Sequence, residues 1–238
     1  MMKFKILCLF WVLVYPCFAQ LKMDHYVEWG SNMVSNRSYG NFSTIIEARY
    51  KQFNFQGGTL VSVINPQSSV IKTLTVGVGA DIQIKKLKMM IDGFYRWMPI
   101  SENIREYNGG FIASSKFRYF EVKLGVNTRV YGLSKAAMMK YHINDSVSFT
   151  IWEPVNVMYQ FSFYQPLTAK CNLEVRITNY DNYMILQETN PMIMTRMDYA
   201  VAPKMRLYAE LYYMQAGLLN MRVNYFGYNG RGGLIWEI

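Results

Sequence analysis

The sequence predicts an all-β fold, namely a transmembrane antiparallel up-and-down β-barrel of about twelve strands, with a range of about 10 to 14. Three observations carry this prediction. Apolar and polar residues alternate along most of the chain, the links between alternating segments differ in length, and 51% of the residues are hydrophobic although the mean hydropathy is only -0.01. Such fine interleaving is typical of strands with one apolar and one polar face.

Residues 1–19 are predicted to be a cleaved secretory signal peptide. Two lysines precede an apolar run from Ile6 to Tyr15, and the small residue Ala19 ends the segment, which is the tripartite pattern of such signals. The apolar run is shorter than the ~20 residues that a helix needs to cross a bilayer. Residues 20–238 are then expected to form a single barrel domain, and its lone Cys171 excludes an intrachain disulfide.

The charge pattern argues against nucleic acid as a partner. The formal net charge is +9 at pH 7, but lysines and arginines alternate with acids instead of forming a basic stripe. We expect no cofactor and no metal site. The mature chain has two histidines, His25 and His142, and His25 with the nearby Asp24 and Glu28 is too sparse a ligand set without partners elsewhere.

The clearest pair of strands lies at 70–83 and 87–97. A two-residue turn at Lys85–Lys86 would place Ile82 opposite Met89 on the apolar face, and Gly77 opposite Phe94 on the polar face. An aromatic ring over a strand glycine compensates for the missing side chain, which supports this register.

Further alternating segments complete the predicted barrel. Strands are expected at 23–33, 42–54, 59–65, 121–130, 155–164, 172–178, 193–201, 206–213 and 231–238, with one more within 138–152. Short turns are predicted near 56–58, 85–86, 165–168 and 202–204, and longer links at 99–115, 180–190 and 217–230. Because neighbouring strands run antiparallel, this alternation places the short turns, residue 20 and residue 238 at one end.

The apolar faces are predicted to point outward into lipid. A soluble sandwich or calycin-like barrel is the alternative, and its outer face would carry scattered lysine and glutamate. The polar faces here mix charged residues with Tyr, Met, Phe and Gly, which suits an enclosed interior. Aromatic residues recur at strand ends, as in the girdles of membrane barrels. The predicted girdle is Tyr95, Trp97 and Tyr213 at one rim, with Tyr199 and Trp236 at the other.

Charged residues on the polar faces are predicted to line the lumen. They are Glu47, Arg49, Asp81, Asp92, Arg96, Glu121, Lys123, Arg129, Glu174, Arg176, Arg196, Asp198, Arg206 and Glu210. A turn centred on Ala202 would set Asp198 across from Arg206, with Arg196 diagonal to Glu210. These residues form either a salt-bridged lumen or ordinary cross-strand pairs of roughly 0.2–1 kcal/mol each.

The final octapeptide, RGGLIWEI, resembles the β-signal of Gram-negative outer-membrane barrels. The resemblance rests on Arg231, Gly233, Trp236 and Ile238: a polar residue, a glycine and two spaced hydrophobic residues. It implies an outer-membrane location, contact with outer-membrane lipid, and recognition by the barrel-assembly machinery during biogenesis. The same strand is expected to close the barrel against the first strand, since an unpaired edge is not tolerated in hydrocarbon.

Three functions fit such a barrel. The preferred hypothesis is a porin-like channel or a structural barrel of unknown cargo. A second is a barrel that binds a partner or ligand through its extracellular loops. The third is a lipid hydrolase that uses His142 and Ser146 of the segment YHINDSVS. We do not expect catalysis, because outer-membrane lipases and deacylases place serine and asparagine in a different order after the histidine, and a polar loop or rim histidine is the simpler interpretation.

Overall fold

The computed structural model describes residues 20–32, 37–64, 70–85, 87–99, 103–141, 150–179, 192–216 and 224–238. This part of the chain forms twelve strands and one short helix. The strands are β1 (Gln20–Asn32), β2 (Arg37–Tyr50), β3 (Phe53–Ile64), β4 (Ile71–Ile84), β5 (Leu87–Pro99), β6 (Ile104–Lys116), β7 (Phe120–Leu133), β8 (Thr150–Pro166), β9 (Cys171–Thr178), β10 (Met192–Ala202), β11 (Met205–Ala216) and β12 (Asn224–Glu237). The helix α1 (Lys135–Lys140) lies between β7 and β8.

Each strand pairs antiparallel with the next one, and β1 pairs with β12, so that the sheet closes on itself. The structure therefore confirms the predicted all-β, antiparallel up-and-down barrel. Within the residues described, no helix is both long enough and apolar enough to cross a membrane.

The connections sort by length onto the two ends of the barrel. One end, called the short-turn rim below, carries the turns 51–52, 85–86, 117–119, 167–170 and 203–204. The other end carries the links 33–36, 65–70, 100–103, 134–149, 179–191 and 217–223. Gln20 of β1 and Glu237 of β12 lie at the short-turn rim, as the alternation of link lengths predicts.

The β4–β5 hairpin has the predicted register. Ile82 lies opposite Met89, and Gly77 lies opposite Phe94. Lys85 in the turn has a positive φ of 55°, a conformation that tight hairpin turns require although lysine rarely adopts it. The alternation of the two strands was therefore a stronger signal than the unfavourable turn sequence.

Strand β6 corrects the prediction of a long link at 99–115. Asn108-Gly109-Gly110 looks like a turn in the sequence, yet all three residues lie within the strand. Neighbouring side chains cover the glycines, since Tyr95 lies beside Gly109 and Asn127 beside Gly110. The turn that follows, at 117–119, was not predicted.

Two other boundaries were also wrong. The turn predicted at 56–58 is in the interior of β3, and the chain reverses instead at Lys51–Gln52, where Lys51 has a φ of 53°. The predicted strand 42–54 therefore spans the end of β2 and the beginning of β3. In place of a strand within 138–152, the structure has α1, capped by the Ser134 hydroxyl, and then β8; residues 142–149 lie outside the described residues.

The two faces of the sheet differ in chemistry. Outward positions carry large exposed hydrophobic side chains, among them Val76, Val78, Phe111, Val157 and Leu211. Inward positions carry most of the buried polar and charged side chains. They also carry a larger apolar cluster of Tyr26, Ile45, Leu60, Tyr208 and Ile235, and a smaller one of Ile112 and Met158. The barrel therefore has an apolar outside and a largely polar inside.

Candidate functional site in the barrel interior

One row of register neighbours crosses six strands on the inner face and alternates in charge. The row, called the charge ladder below, is Glu174 (β9), Arg196 (β10), Glu210 (β11), Arg231 (β12), Glu28 (β1) and the polar Asn41 (β2). Each member lies directly opposite the next on the neighbouring strand. Arg231 and Glu28 are opposite each other because closure of the barrel aligns β12 with β1. Opposite charges on neighbouring strands attract, so the row supports this register.

Arg231 is at the centre of the ladder and is completely buried. Its Nε donates to Glu28 Oε2 at 2.8 Å, and one terminal nitrogen donates to the Tyr212 hydroxyl at 2.6 Å. The same nitrogen is 3.6 Å from Glu210 Oε2. Asn41 donates to the other oxygen of Glu28 at 3.0 Å. The guanidinium is therefore held between two carboxylates.

Arg196 forms the second cationic step of the ladder. It contacts both carboxylate oxygens of Asp198 at 2.7 Å and Glu210 Oε1 at 2.7 Å. Its guanidinium carbon lies 3.9 Å from the centre of the Tyr208 ring, which is a close cation–π contact. Tyr208 in turn donates to Asp24 at 2.8 Å. Arg196 thus links the ladder to a second pair of polar side chains.

Burial makes this network rigid. Ion pairs removed from water lose hydration that their mutual attraction only partly restores, so the network contributes little net stability. A single broken contact, however, leaves a buried charge uncompensated at a cost of several kcal/mol. The ladder is therefore expected to hold one arrangement and to keep this wall of the barrel fixed.

The opposite wall is built from small residues. Strands β3 to β7 carry inward-facing glycines at Gly58, Gly77, Gly79, Gly110 and Gly125. Gly77 and Gly79 of this glycine wall line a cavity of about 250 Å³ that reaches Arg196 and Glu210 of the ladder. It is lined by basic residues (Lys22, Lys123, Arg176 and Arg196), acidic residues (Glu47, Asp92 and Glu210), and Asn54, Gln56 and Gln160 among others.

The cavity extends from near the short-turn rim to the ladder. Lys22 and Glu47, paired at 2.9 Å, lie close to that rim, and Glu210 lies at the ladder. Beyond the ladder, large side chains fill the interior: Arg96, Met98, Glu106, Asn108, Tyr212 and Asn229 are each almost fully buried. The described lumen is therefore narrow in the half that leads to the long links.

Asp92 has a distinctive place in the cavity. Its carboxylate lies over Gly79, where a side chain on residue 79 would collide with it. No salt bridge joins Asp92 to another of the described residues, whereas Lys22 and Arg176 are paired with Glu47 and Glu174. Asp92 thus presents an anionic group to the cavity.

Most of the other predicted lumen residues form local pairs, while Arg96 is buried with its guanidinium carbon 5.8 Å from the centre of the Phe94 ring. Arg49 pairs with Asp81 at the exposed short-turn rim. Lys123 is 3.8 Å from Glu121. The remaining pair is a loose one, Arg129 Nε to Glu106 Oε1 at 3.9 Å.

One predicted pairing is wrong. Asp198 lies opposite Tyr208 and not opposite Arg206, because the turn at 203–204 and a register shift between Ala200 and Ala202 move the strands by two residues. Arg206 instead binds Glu237 at 2.6 Å. Arg196 lies directly across from Glu210 rather than diagonally.

The residues of the predicted β-signal lie in or next to β12. Arg231 belongs to the charge ladder, and Gly233 lies under the Tyr208 ring. Trp236 is exposed on the outer face, and Ile238 bonds to the Leu21 backbone at the short-turn rim.

The aromatic residues predicted for the girdle have outward positions. Tyr95 and Tyr213 are exposed near the long-link end of the barrel. Trp97 lies in the same region, and the guanidinium carbon of Arg105 is 5.4 Å from the centre of its ring. Tyr199 and Trp236 are exposed near the short-turn rim.

The residues considered for catalysis, His142 and Ser146, lie outside the described residues. His25 is on β1, where its Nδ1 is 3.0 Å from the Thr44 hydroxyl. Among the described residues, no group of three or more His, Cys, Asp or Glu side chains is placed to hold a metal ion.

Two acidic interior residues, Asp24 and Glu28, were not predicted from the sequence. Asp24 and Glu28 were missed because no alternation was recognised in β1. They could have been found from the prediction that the last strand pairs with the first, because that pairing places an acidic position of β1 beside Arg231.

Comparisons with known proteins agree with this architecture. No protein-family model matches the sequence, and no curated protein matches it. Among solved structures, the KdgM porin in complex with disordered oligogalacturonate is similar at a TM-score of 0.55 and 10% identity, covering 90% of this chain and 98% of that one. The translocator domain of the autotransporter NalP from Neisseria meningitidis is similar at 0.53 and 10% identity, covering 98% and 95%.

The NanC porin is also similar, with a TM-score of 0.50 and 10% identity over 91% of this chain and 98% of that one. At such low identities the likeness concerns the fold alone. The chain thus forms a closed twelve-stranded barrel whose fold is similar to that of the KdgM and NanC porins and of the NalP translocator domain.

Proposed function

We propose that this protein is an integral outer-membrane β-barrel that acts as a narrow, porin-like channel for small hydrophilic solutes. The observation that carries the proposal is the charged cavity of about 250 Å³ inside a closed barrel with an apolar outer surface. Polar linings inside and apolar side chains outside are the arrangement of membrane channels.

The outer surface supports a membrane location. Large hydrophobic side chains such as Phe111 and Leu211 are about two-thirds exposed, at 64% and 66%. In water, so extensive an apolar surface would cause aggregation, whereas lipid solvates it. Closure of the sheet also pairs the backbone N–H and C=O groups of the first and last strands, as the hydrocarbon phase requires.

The lining indicates how the channel selects solutes. Basic and acidic side chains alternate around the cavity, so neither sign dominates, and the ladder side chains narrow the path. KdgM and NanC, which have a similar fold, are porins. For this chain, the balanced lining favours small polar or zwitterionic solutes over long polymers of one charge.

A structural barrel is the second candidate. The observation that favours it is the filled interior beyond the ladder, where Tyr212 and Met194 are fully buried. A barrel whose lumen is blocked by these side chains would insert in the membrane without conducting ions.

Planar-bilayer conductance separates the two candidates. Purified protein should first show heat-modifiable gel migration, which reports a folded membrane barrel. We then expect small, steady currents from the wild type and larger currents from Y212A/M194A, which removes bulk from the lumen. L211A changes an outward-facing residue of the same strand and should leave the conductance unchanged.

The absence of current from both the wild type and Y212A/M194A, in protein shown to be inserted, would reject the channel and favour the structural barrel. Recovery of the native protein in a soluble periplasmic fraction would reject the membrane location itself.

A further inference from the structure

The turns of the short-turn rim carry charge of one sign. Each of its five turns contains a basic residue, and no acidic residue occurs in any of them. The basic residues at the described turn positions, called the basic ring below, are Lys51, Lys85, Arg118, Lys170 and Lys204, and all five are exposed. Since the turns follow one another around the barrel, the five charges are distributed over its whole circumference.

The basic ring differs from the charge ladder in its ion pairing. No member forms a salt bridge with another of the described residues, in contrast to the arginines of the charge ladder. Lys51 and Arg118 instead lie over the rings of Tyr50 and Tyr119, at 5.2 and 4.8 Å from the ring centres. Among the described residues, these exposed cations therefore have no carboxylate within salt-bridge distance.

Aromatic and apolar side chains lie beside the basic ring on the outer face. Phe53, Phe120, Tyr199 and Trp236 are exposed close to this rim. Amphipathic rings are favoured at the depth where hydrocarbon meets headgroups. The aromatic side chains at this rim therefore mark the boundary with the headgroups. The adjacent basic residues lie at headgroup level, where their long side chains can reach phosphate oxygens.

The other end of the barrel has a different composition. By sequence, its links contain acidic residues as well as basic ones: Glu102, Asp145, Asp181 and Glu188 occur together with Lys135, Lys140 and Arg222. The excess of positive charge is thus specific to the short-turn rim and does not simply follow from the net charge of the chain.

We propose that the basic ring binds the anionic headgroups of phospholipids in the leaflet that the short-turn rim faces. Ammonium and guanidinium groups donate to phosphate oxygens, and a surface of anionic lipid attracts exposed cations over about a Debye length. The inference rests on membrane insertion, which is part of the proposed function, but not on conduction.

Quenching of tryptophan fluorescence by brominated lipids tests this directly. The protein is reconstituted in phosphatidylcholine vesicles that contain increasing brominated phosphatidylglycerol, with heat-modifiable migration confirming insertion of each sample. Exposed Trp236 lies close to the basic ring and reports the lipids there. We expect the wild type to prefer phosphatidylglycerol by about fivefold or more, since each exposed cation contributes to the attraction.

A variant with all five basic residues replaced by Gln should lose this preference, to a ratio near one. About 0.5 M NaCl should weaken the wild-type preference as well, because salt screens exposed charges. K51Q/K170Q/K204Q should lose part of it, whereas the matched variant K72Q/R105Q/K140Q, which removes three cations towards the other end, should keep it.

An unchanged preference in the variant lacking the basic ring would overturn the proposal. So would equal binding of phosphatidylglycerol and phosphatidylcholine by the wild type, or co-sedimentation of the protein with purified peptidoglycan that depends on the basic ring without any lipid preference. Failure of the wild type to insert would instead reject the proposed membrane location.

Discussion

Arg231 in the last strand and Glu28 in the first strand are joined across the seam that closes the barrel, with Nε 2.8 Å and a terminal nitrogen 2.7 Å from the same carboxylate oxygen. The two residues are 203 positions apart in the chain. Both are buried, so the contact can form only when the barrel is closed and water is excluded.

Breaking this contact is expected to destabilise the barrel strongly. E28Q leaves the Arg231 guanidinium buried without its nearest counter-charge, which should lower the free energy of unfolding by roughly 3 kcal/mol. The double variant E28Q/R231Q removes both charges and should recover part of the loss. Urea titration of protein refolded into lipid vesicles measures the free energy of unfolding of the wild type, E28Q and E28Q/R231Q.

The pair of Arg206 and Glu237 at the short-turn rim is the matched control. It also joins a residue of β12 to a neighbouring strand, but the two side chains are 41% and 31% exposed. Water and salt screen such a pair, so R206Q should cost less than about 1 kcal/mol. Equal losses in E28Q and R206Q would show that burial of the seam pair has no special role.

Arg196 should be sensitive even to a conservative change. Its planar guanidinium contacts Asp198 and Glu210 at the same time, which the single ammonium of lysine cannot reproduce. We expect R196K to destabilise the barrel by about 1–2 kcal/mol in the same titration. R49K, at the exposed rim pair with Asp81, should have almost no effect, and a comparable loss there would argue against the bidentate contact.

The sequence was informative where local alternation decides the structure. In β4 and β5, the period of two set both the faces and the register, because a shift of one residue would turn every apolar side chain inward. The same reasoning predicted correctly that the short turns share one end. These features depend on neighbours in the chain, which a sequence displays directly.

The features that were mispredicted depend on residues that are distant in sequence. Gly109 and Gly110 remain in β6 because Tyr95 and Asn127 on adjacent strands cover them, and a local reading takes them for a turn. The position of Arg206 depended on a register shift near Ala200 that alternation does not reveal. The charge ladder depends on closure of β1 against β12, so its members could be recognised only after the strands had been placed.

Gly233 is expected to tolerate no side chain. A methyl group there would lie 2.6 Å from Cε1 of the inward-facing Tyr208. The ring would have to move, which would break its bond to Asp24. We expect G233A to cost about 1–3 kcal/mol of unfolding free energy, measured by the same urea titration.

Two further variants identify the cause of that loss. Gly57 has no atom within 4 Å of an added methyl group, so G57A should be close to neutral. G233A/Y208A removes the colliding ring and should lose less than the sum of its two single variants. Strict additivity would mean that Gly233 is needed for another reason, such as recognition of the last strand during assembly.

Asp92 should control the charge selectivity of the proposed channel. Its carboxylate faces the cavity without a salt-bridge partner among the described residues, and it attracts permeating cations. We expect D92N to shift the ratio of chloride to potassium permeability towards chloride by roughly two- to threefold. K123Q, across the same cavity, should shift it in the opposite direction.

D81N makes the same chemical change at the exposed rim, where salt screens the charge, and should have the smaller effect. Reversal potentials in a potassium chloride gradient measure these ratios, and an equal shift in D92N and D81N would place the selective region at the rim instead of in the cavity.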